Sequence, residues 1–324
     1  DRWFLAIMKE LIDNSLDACE SKRILPEIEI EVAEDYLKIR DNGPGLPDPV
    51  IKDSLDYMVR VSDKILYVSP SRGQLGNALM CLYAIPFVLH GQYGKVEIET
   101  GGELHTIEIM LERIFGSPRI TRTVTNGDFV KTGTSITIYE QAHKYLSAPP
   151  VGQSYICNAM SLITAYVVMN PHASFTLHGT MESKNARTSD SMNKWIPSDP
   201  MSSYWYGLDS LRGLIAGHVS SEREGGQAKT VGDFISQFRG LTGSRKRKEV
   251  TDLLGMQRTY LHDLVDGDDI SDVAVDSILS AMNECSKPLK PKLLGVIGEE
   301  HFRQTLPYTN SADVRYRKVE GTTE

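Results

Sequence analysis

The sequence lacks the features that mark several large classes of protein. Its four cysteines form no C-x-x-C pair, which argues against a disulfide framework and against a zinc ribbon. No run of about 18 apolar residues occurs, so no membrane-spanning helix and no membrane partner are predicted. The histidines form no H-x-x-x-H pair and no G-x-S-x-G occurs, which disfavours a catalytic metal centre and a serine hydrolase.

Charge and composition narrow the remaining classes. The 324 residues carry 35 basic and 43 acidic side chains, a net charge of −8. A protein that coats nucleic acid over its whole surface is basic, so only local DNA contacts are expected. With no signal peptide and few cysteines, the expected location is the cytoplasm. Because Asp1 falls inside an amphipathic pattern, we expect an N-terminal segment to precede it.

Hydrophobic periodicity separates the chain into differently built regions. Residues 1–20 have apolar side chains at steps of three and four, which predicts an amphipathic helix, and the alternation of EIEIEV predicts a strand over Glu27–Val32. Helices and strands alternate up to about residue 200, which predicts an α+β fold with one layer of sheet and one of helices. Residues 230–286 predict short helices, and 287–324 an extended chain. We therefore expect three regions, 1–203, 204–290 and 291–324.

The segment ELIDNSLDA (10–18) is the first candidate site. Glu10, Asn14 and Asp17 step by four and three, so they share a helix face, with neighbouring Cβ atoms about 5–6 Å apart. A carboxylate beside an amide oxygen suits Mg²⁺, for which Asn14 is the candidate ligand. Glu10, one turn earlier, is a candidate general base toward water. Taken alone, the same pattern also fits a solvated helix face.

Two glycine-containing loops follow. In DNGPGLP (41–47), glycines flank a proline, so the backbone can approach a flat ligand closely. Asp41 offers acceptor oxygens to an adenine amino group. In SRGQLGN (71–77), a glycine loop runs into a helix N-terminus, which favours phosphate binding. Each loop alone fits a simple turn, but the order of all three segments within 80 residues points to an ATP site.

These segments resemble the ATP-binding fold shared by gyrase, the ninety-kilodalton heat-shock chaperones, histidine kinases and MutL. Within that group, ELIDNSLDACE, ILPEIEIEV, DNGPGLP and SRGQLG are similar to the B subunit of topoisomerase VI, a type IIB enzyme. Patchier likeness continues in GTSITI (133–138), NPHASFTL (170–177) and IGEEHF (297–302). The resemblance implies a two-layer α/β sandwich of the Bergerat ATP-binding type in 1–203. It also implies a helix-two-turns-helix module in 204–290 and the start of a truncated transducer domain in 291–324.

The resemblance also implies a role for individual residues. Glu10 is the expected catalytic base, Asn14 the expected Mg²⁺ ligand, Asp41 the adenine reader and Gly45 a shaper of the adenine pocket. Thr134 is expected to contact adenine and its associated water, and a lid over 72–77 to cover the phosphates. The expected nucleotide-binding set is Asn14, Asp17, Asp41, Gly43, Gly45, Arg72, Gly73, Gln74, Leu75, Gly76, Asn77 and Thr134.

The implied function is that of an ATP-binding and ATP-hydrolysing subunit of a type IIB DNA topoisomerase. ATP and Mg²⁺ are the expected cofactors. The expected partners are a DNA-cleaving A-type subunit, double-stranded DNA and a second copy of the chain, which dimerises on binding ATP. The implied location is the cytoplasm, at the nucleoid, or the nucleus in a eukaryote.

Departures from the family pattern keep other functions open. The lid reads RGQLGNALM, so Ala78 stands where the family has a second glycine. The family's switch lysine is expected beyond Glu324. An alternative is therefore a non-enzymatic or weakly active ATP-gated scaffold that organises a DNA-cleaving partner in recombination or defence. A MutL-like repair protein or a kinase fits less well, because of the helical module in 230–286 and the lack of an upstream histidine-bearing helix. The RKRK run (245–248) fits either DNA contact or a solvated helix face.

Overall fold

A computed structural model of the chain describes most of its length. The described residues are 3–55, 67–68, 72, 78–114, 116–139, 155–179, 182–196, 198–306 and 317. They fall into two compact units. The first contains the described residues up to 55, those from 78 to 196, and those from 296 onward. The second contains residues 198–295 together with Tyr67, Val68 and Arg72.

Helices and strands occur in both units. Nine α-helices lie in the described ranges: α1 (Trp3–Ser21), α2 (Asp48–Asp53), α3 (Ala78–His90), α4 (Tyr155–Met169), α5 (Leu208–Arg223), α6 (Val231–Ile235), α7 (Ser244–Leu254), α8 (Asp272–Cys285) and α9 (Glu299–Thr305). The strands there are β1 (Glu27–Val32), β2 (Tyr36–Asp41), β3 (Tyr93–Thr100), β4 (Glu103–Glu112), β5 (Ser117–Asn126), β6 (Thr134–Tyr139), β7 (Ser174–His178), β8 (Ser183–Asn185), β9 (Val265–Asp266) and β10 (Asp269–Ile270). No helix in the described ranges is long and apolar enough to span a bilayer.

The first unit is built on one mixed sheet. Its eight described strands have the order β5-β4-β3-β6-β2-β1-β7-β8. The β1–β7 pair is parallel, and the other neighbouring pairs are antiparallel. Alternation decides which face is covered: Ile28 and Ile30 are buried while Glu27 and Glu29 are exposed. The apolar face packs on the helices in one core, so the predicted α+β class with one sheet layer and one helical layer is confirmed.

Helix α1 lies on the apolar face of the sheet. Its buried side chains include Met8, Leu11, Ile12 and Leu16, which join the core. Burying a leucine or isoleucine contributes about 1.5–3 kcal/mol, so this stripe fixes the rotation of the helix about its axis. The fixed rotation sets the direction of the polar side chains on the rest of α1.

A buried ionic group anchors the C-terminal end of α1. Glu20 is 1% exposed, and its carboxylate lies 2.8 Å from His172 Nε2 and 2.9 Å from Lys194 Nζ. A buried carboxylate needs such partners because the loss of hydration would otherwise cost several kcal/mol. The group ties α1 to the turn before β7 and to the segment after β8.

The second unit is a small helical module. Its apolar core includes Leu211, Phe234 and Ile278, all buried. Tyr67 and Val68 pack against the same core. The Val68 amide donates a 2.9 Å hydrogen bond to the hydroxyl of the buried Tyr206, which fixes this short segment on the module. The RKRK run lies on the first turns of α7.

Three elements differ from the sequence predictions. The sequence does not predict β5, because SPRITRTVTN is exposed along most of both faces and lacks apolar alternation. The helical module contains a two-residue hairpin, β9–β10. Residues 299–305 form α9 rather than extended chain, and His301 Nε2 lies 3.0 Å from the Val168 carbonyl at the end of α4.

Candidate nucleotide site

The polar face of α1 carries three of the predicted site residues. Glu10, Asn14 and Asp17 are all half-buried, whereas the apolar stripe beside them is buried. The Glu10 side chain is 46% exposed, so its carboxylate is open to water. The structure thus places the predicted base and the predicted metal ligand one helical turn apart on an accessible face.

Asn14 has an unusual environment. Its Nδ2 atom is buried and has no hydrogen-bond partner among the described residues. The two ends of an amide exchange by a half-turn of the last side-chain torsion, so the same position can present the carbonyl oxygen. Buried polar atoms of a folded chain nearly always have a protein partner, so this exception suits a side chain whose partner is a ligand. An amide oxygen in this position fits Mg²⁺, which takes one or two protein oxygens and completes its shell with phosphates and water.

An ion-pair network that no sequence motif indicates flanks Glu10. Lys9 Nζ lies 2.7 Å from Asp13 Oδ2 and 3.4 Å from Glu10 Oε1. Asp13 is buried, and its Oδ1 accepts a 2.6 Å hydrogen bond from the Tyr166 hydroxyl of α4. The hydrogen bond to Asp13 raises the pKa of Lys9, so the ammonium stays charged beside the candidate base. The i to i+4 spacing of Lys9 and Asp13 is the signal from which this pair could have been predicted.

Asp41 is the last residue of β2 and is 6% exposed. Its Oδ1 accepts hydrogen bonds from the Gly43 amide at 2.8 Å and the Thr134 amide at 3.2 Å. Burial raises the pKa of Asp41, and these two amides, the Ser15 hydroxyl and Arg40 oppose that rise. Because Oδ1 holds both amides, Oδ2 is the oxygen with more capacity for an incoming amino group. The contact with Ser15 places Asp41 directly beside α1.

Glycines let three backbone segments converge at Asp41. A Cβ on Gly43 would lie 2.9 Å from Asp41 Oδ1, and Gly45 has φ +84°. Gly133, which was not among the predicted site residues, has φ +86°, and a Cβ there would overlap the Asp41 carbonyl oxygen. Only glycine allows that approach. The predicted residues Asp41, Gly43, Gly45 and Thr134 are therefore brought together, with Gly133 as an added member.

The structure describes only part of the predicted lid. Gly73, Gln74, Leu75, Gly76 and Asn77 lie outside the described residues, so their predicted roles stay predictions. Arg72 is half-buried and belongs to the second compact unit, so it is not grouped with the residues above. Ala78 is the first residue of α3.

A second polar group lies near the exit of the Asp41 loop. Potential ligand atoms of Asp48, Glu103 and His105 lie within 4.8 Å of one another. The Arg122 guanidinium sits among them, in contact with Asp48 and 2.8 Å from His105 Nδ1. Burial and the charge of Arg122 lower the pKa of His105, and the hydrogen bond from Arg122 lowers the pKa of Asp48. Since a cation already occupies this position, the group is an ion-pair network that ties the start of α2 to β4 and β5.

Comparison with known proteins supports the expected family. The B subunit of type 2 DNA topoisomerase 6 from Methanosarcina acetivorans is 30% identical over 193 residues, which cover 54% of this chain and 28% of that protein. The corresponding protein from Archaeoglobus fulgidus is 27% identical over 252 residues, covering 72% of this chain and 37% of its own length. This chain resembles the B subunit of topoisomerase VI. The resemblance expected from the sequence motifs is therefore confirmed.

The extent of the likeness limits what it shows. The chain spans about a third of the length of these relatives, and no protein-family model matches it. Among solved structures, the Aquifex aeolicus MutL ATPase domain complexed with ADP is 16% identical, with a TM-score of 0.35 over 65% of this chain and 68% of that one. The N-terminal domain of a DNA repair protein is 22% identical, with a TM-score of 0.35 over 56% of this chain and 52% of that one. These structural likenesses are too distant to add to the sequence relatives.

Proposed function

We propose that the chain binds ATP with Mg²⁺ in the pocket between α1, the loop after β2 and the start of β6. The observation that carries this proposal is the buried amide of Asn14, whose Nδ2 has no partner among the described residues, one turn from the accessible carboxylate of Glu10. Beside it, Asp41 is held by two backbone amides in an orientation that leaves an acceptor available. The topoisomerase VI relatives support this reading over that of a solvated helix face.

Each side chain has a distinct role in the proposal. Asp41 accepts a hydrogen bond from the adenine amino group, and Gly43 and Gly45 let the base lie against the backbone. Asn14 holds Mg²⁺, which when bound neutralises charge on the phosphates. Glu10 takes a proton from the water that attacks the terminal phosphate. Lys9, held by Asp13, keeps a positive charge beside that carboxylate. The lid residues 72–77 cover the phosphates.

At the level of the whole protein, we propose the ATPase part of a topoisomerase-VI-like B subunit. ATP binding joins two copies of the chain, and the dimer gates passage of double-stranded DNA through a partner A-type subunit that cleaves it. The name of the relatives supports this assignment.

The basic run on α7 supports a limited contact with DNA. Arg245 and Lys248 are exposed and form no ion pair among the described residues, whereas Lys246 pairs with Glu249 and Arg247 with Asp233. Two unpaired cations on one helix can neutralise only a few DNA phosphates. A small contact of this kind also agrees with the net negative charge of the chain.

Calorimetric titration with a non-hydrolysable ATP analogue and Mg²⁺ tests the proposal. We expect one analogue bound per chain. Asp41→Asn is expected to abolish binding, because an amide that turns its NH₂ toward adenine presents a donor to a donor. The exposed Asp35 provides the matched control, and Asp35→Asn is expected to bind normally. A parent chain that takes up no analogue would overturn the proposed function.

Asn14→Leu gives a separate test that pairs function with stability. The change removes the metal ligand, so added Mg²⁺ is expected to stop strengthening nucleotide binding. It also removes a buried amide nitrogen without a partner, so the free energy of unfolding is expected to stay level or rise by about 1 kcal/mol. Titrations with and without Mg²⁺, together with urea denaturation, measure both effects.

Asn42 is the matched control for that experiment. Its side chain accepts a bond from the Glu27 amide at 2.9 Å and donates to the Leu25 carbonyl at 3.1 Å. Asn42→Leu is therefore expected to lower the free energy of unfolding by about 2 kcal/mol or more, because two backbone groups lose their partner. Equal destabilisation by Asn14→Leu and Asn42→Leu would show that the Asn14 amide is structural.

The scaffold alternative is favoured by one observation, Ala78 at the start of α3. A helix-forming residue replaces the flexible glycine expected there, which opposes a lid that opens and closes at each turnover. Both functions predict ATP binding. Measurement of phosphate release by the chain with its A-type partner separates them, since a scaffold binds ATP without releasing phosphate.

A further inference from the structure

Thr100 joins the two backbone segments that border the proposed base pocket. It is the last residue of β3, is 5% exposed, and pairs in register with Thr134 at the start of β6. Its hydroxyl accepts a 2.9 Å hydrogen bond from the Leu46 amide in the loop after Asp41. The same hydroxyl donates to the Gly133 carbonyl at 3.4 Å. One side chain thus contacts both borders of the pocket.

The position of Gly45 depends on the same hydroxyl. A Cβ on Gly45 would lie 2.9 Å from Thr100 Oγ1, so the loop backbone packs directly on it. Gly133 in turn packs against the Asp41 carbonyl. The loop carrying Asp41 and the strand carrying Thr134 are therefore held by two polar links, the Asp41 carboxylate and the Thr100 hydroxyl. The first link takes part in the proposed recognition of adenine, while the second lies behind it.

We propose that Thr100 is a positioning residue that sets the preference of this site for adenine over other bases. The inference rests on the proposed function, because it assumes that a nucleotide base enters beside Asp41. Without the hydroxyl, the Leu46 amide and the Gly133 carbonyl lose this buried partner, and the loop shifts to find others. A shift of about 1 Å at a recognition site is enough to change affinity by a large factor. Asn14 and the phosphates lie on the α1 side, so their contacts are affected less.

The experiment compares ATP with inosine triphosphate, which has a carbonyl oxygen where adenine has its amino group. Equilibrium titrations with Mg²⁺ are run on the parent chain, Thr100→Val and Thr100→Ser. The parent is expected to prefer ATP. Thr100→Val is expected to weaken ATP binding about tenfold and inosine triphosphate binding little, so the preference falls toward one. Thr100→Ser keeps the hydroxyl and is expected to restore the parent preference.

Two further variants guard against a purely structural effect. Thr137 is another buried threonine, on β6, and Thr137→Val is expected to keep the parent preference. Thr100→Ala removes the hydroxyl without the added bulk of valine and decides the question if Thr100→Val does not fold. A parent chain that binds neither nucleotide overturns the proposed function. A parent that prefers ATP, together with hydroxyl-free variants that prefer it equally, overturns the role of Thr100 alone.

Discussion

Glu10→Gln is expected to lower the rate of ATP hydrolysis at least about 100-fold, because the amide cannot accept the proton that the attacking water must lose. Nucleotide binding is expected to stay within about threefold of the parent, since the carboxylate faces water and the amide has nearly the same shape. Single-turnover hydrolysis of labelled ATP and titration with a non-hydrolysable analogue measure the two quantities. The variant then traps the bound state in which two copies of the chain are expected to associate.

Glu29→Gln is the matched control for Glu10→Gln. Glu29 is exposed on β1, on the opposite face of the sheet, in a 3.8 Å pair with Arg40. Its neutralisation is expected to leave hydrolysis unchanged. Hydrolysis by Glu10→Gln at the parent rate would show that another group activates the water.

Gly133→Ala is expected to disrupt the pocket itself. The added Cβ would overlap the Asp41 carbonyl oxygen, and the residue has φ +86°. Backbone cannot yield as a flexible side chain does, so β2 and β6 must separate at this point. We expect the free energy of unfolding to fall by about 3 kcal/mol or more, and nucleotide binding to be lost. Urea denaturation and analogue titration measure these effects.

Gly91→Ala separates the collision from the strain of the backbone angle. Gly91 has φ +80°, close to that of Gly133, but a Cβ there would meet nothing within 4 Å. The expected cost is therefore only the strain of about 1–2 kcal/mol, with normal nucleotide binding. If both variants lose the same stability and both bind nucleotide, the close approach of Gly133 to Asp41 is not what shapes the site.

Local pattern is sufficient to predict much of the fold. EIEIEV predicts β1 with its observed bounds, because one face of that strand is buried and alternation follows directly. Strand β5 shows the limit of this signal. Of its ten residues only Ile120 and Arg122 are even half-buried, so no apolar period is required of it. It forms because all ten residues pair with β4, a contact between strands that the local pattern of β5 does not encode.

The candidate site shows the same division. Asp41 and Asn14 can be predicted because their motifs are short and contiguous. Gly133 and Thr100 matter through contacts across 33 to 93 residues of sequence, as in the bonds from Thr100 to Gly133 and from Thr134 to Asp41. A glycine directly before a buried strand is the available signal for Gly133. For Thr100, a threonine at the end of a strand is too common to be informative.

The two margins of the sheet differ in a way that bears on the solubility of the protein. Strand β8 has three residues, too few to recruit another chain, whereas β5 has ten and leaves one side of its backbone without a neighbouring strand in the described part of the chain. Pro118 cannot donate an amide there, and Arg119 adds an exposed charge. Such residues discourage uncontrolled stacking of one molecule on the next. The sequence of β5 is therefore constrained by the associations that it must prevent, as well as by the fold that it completes.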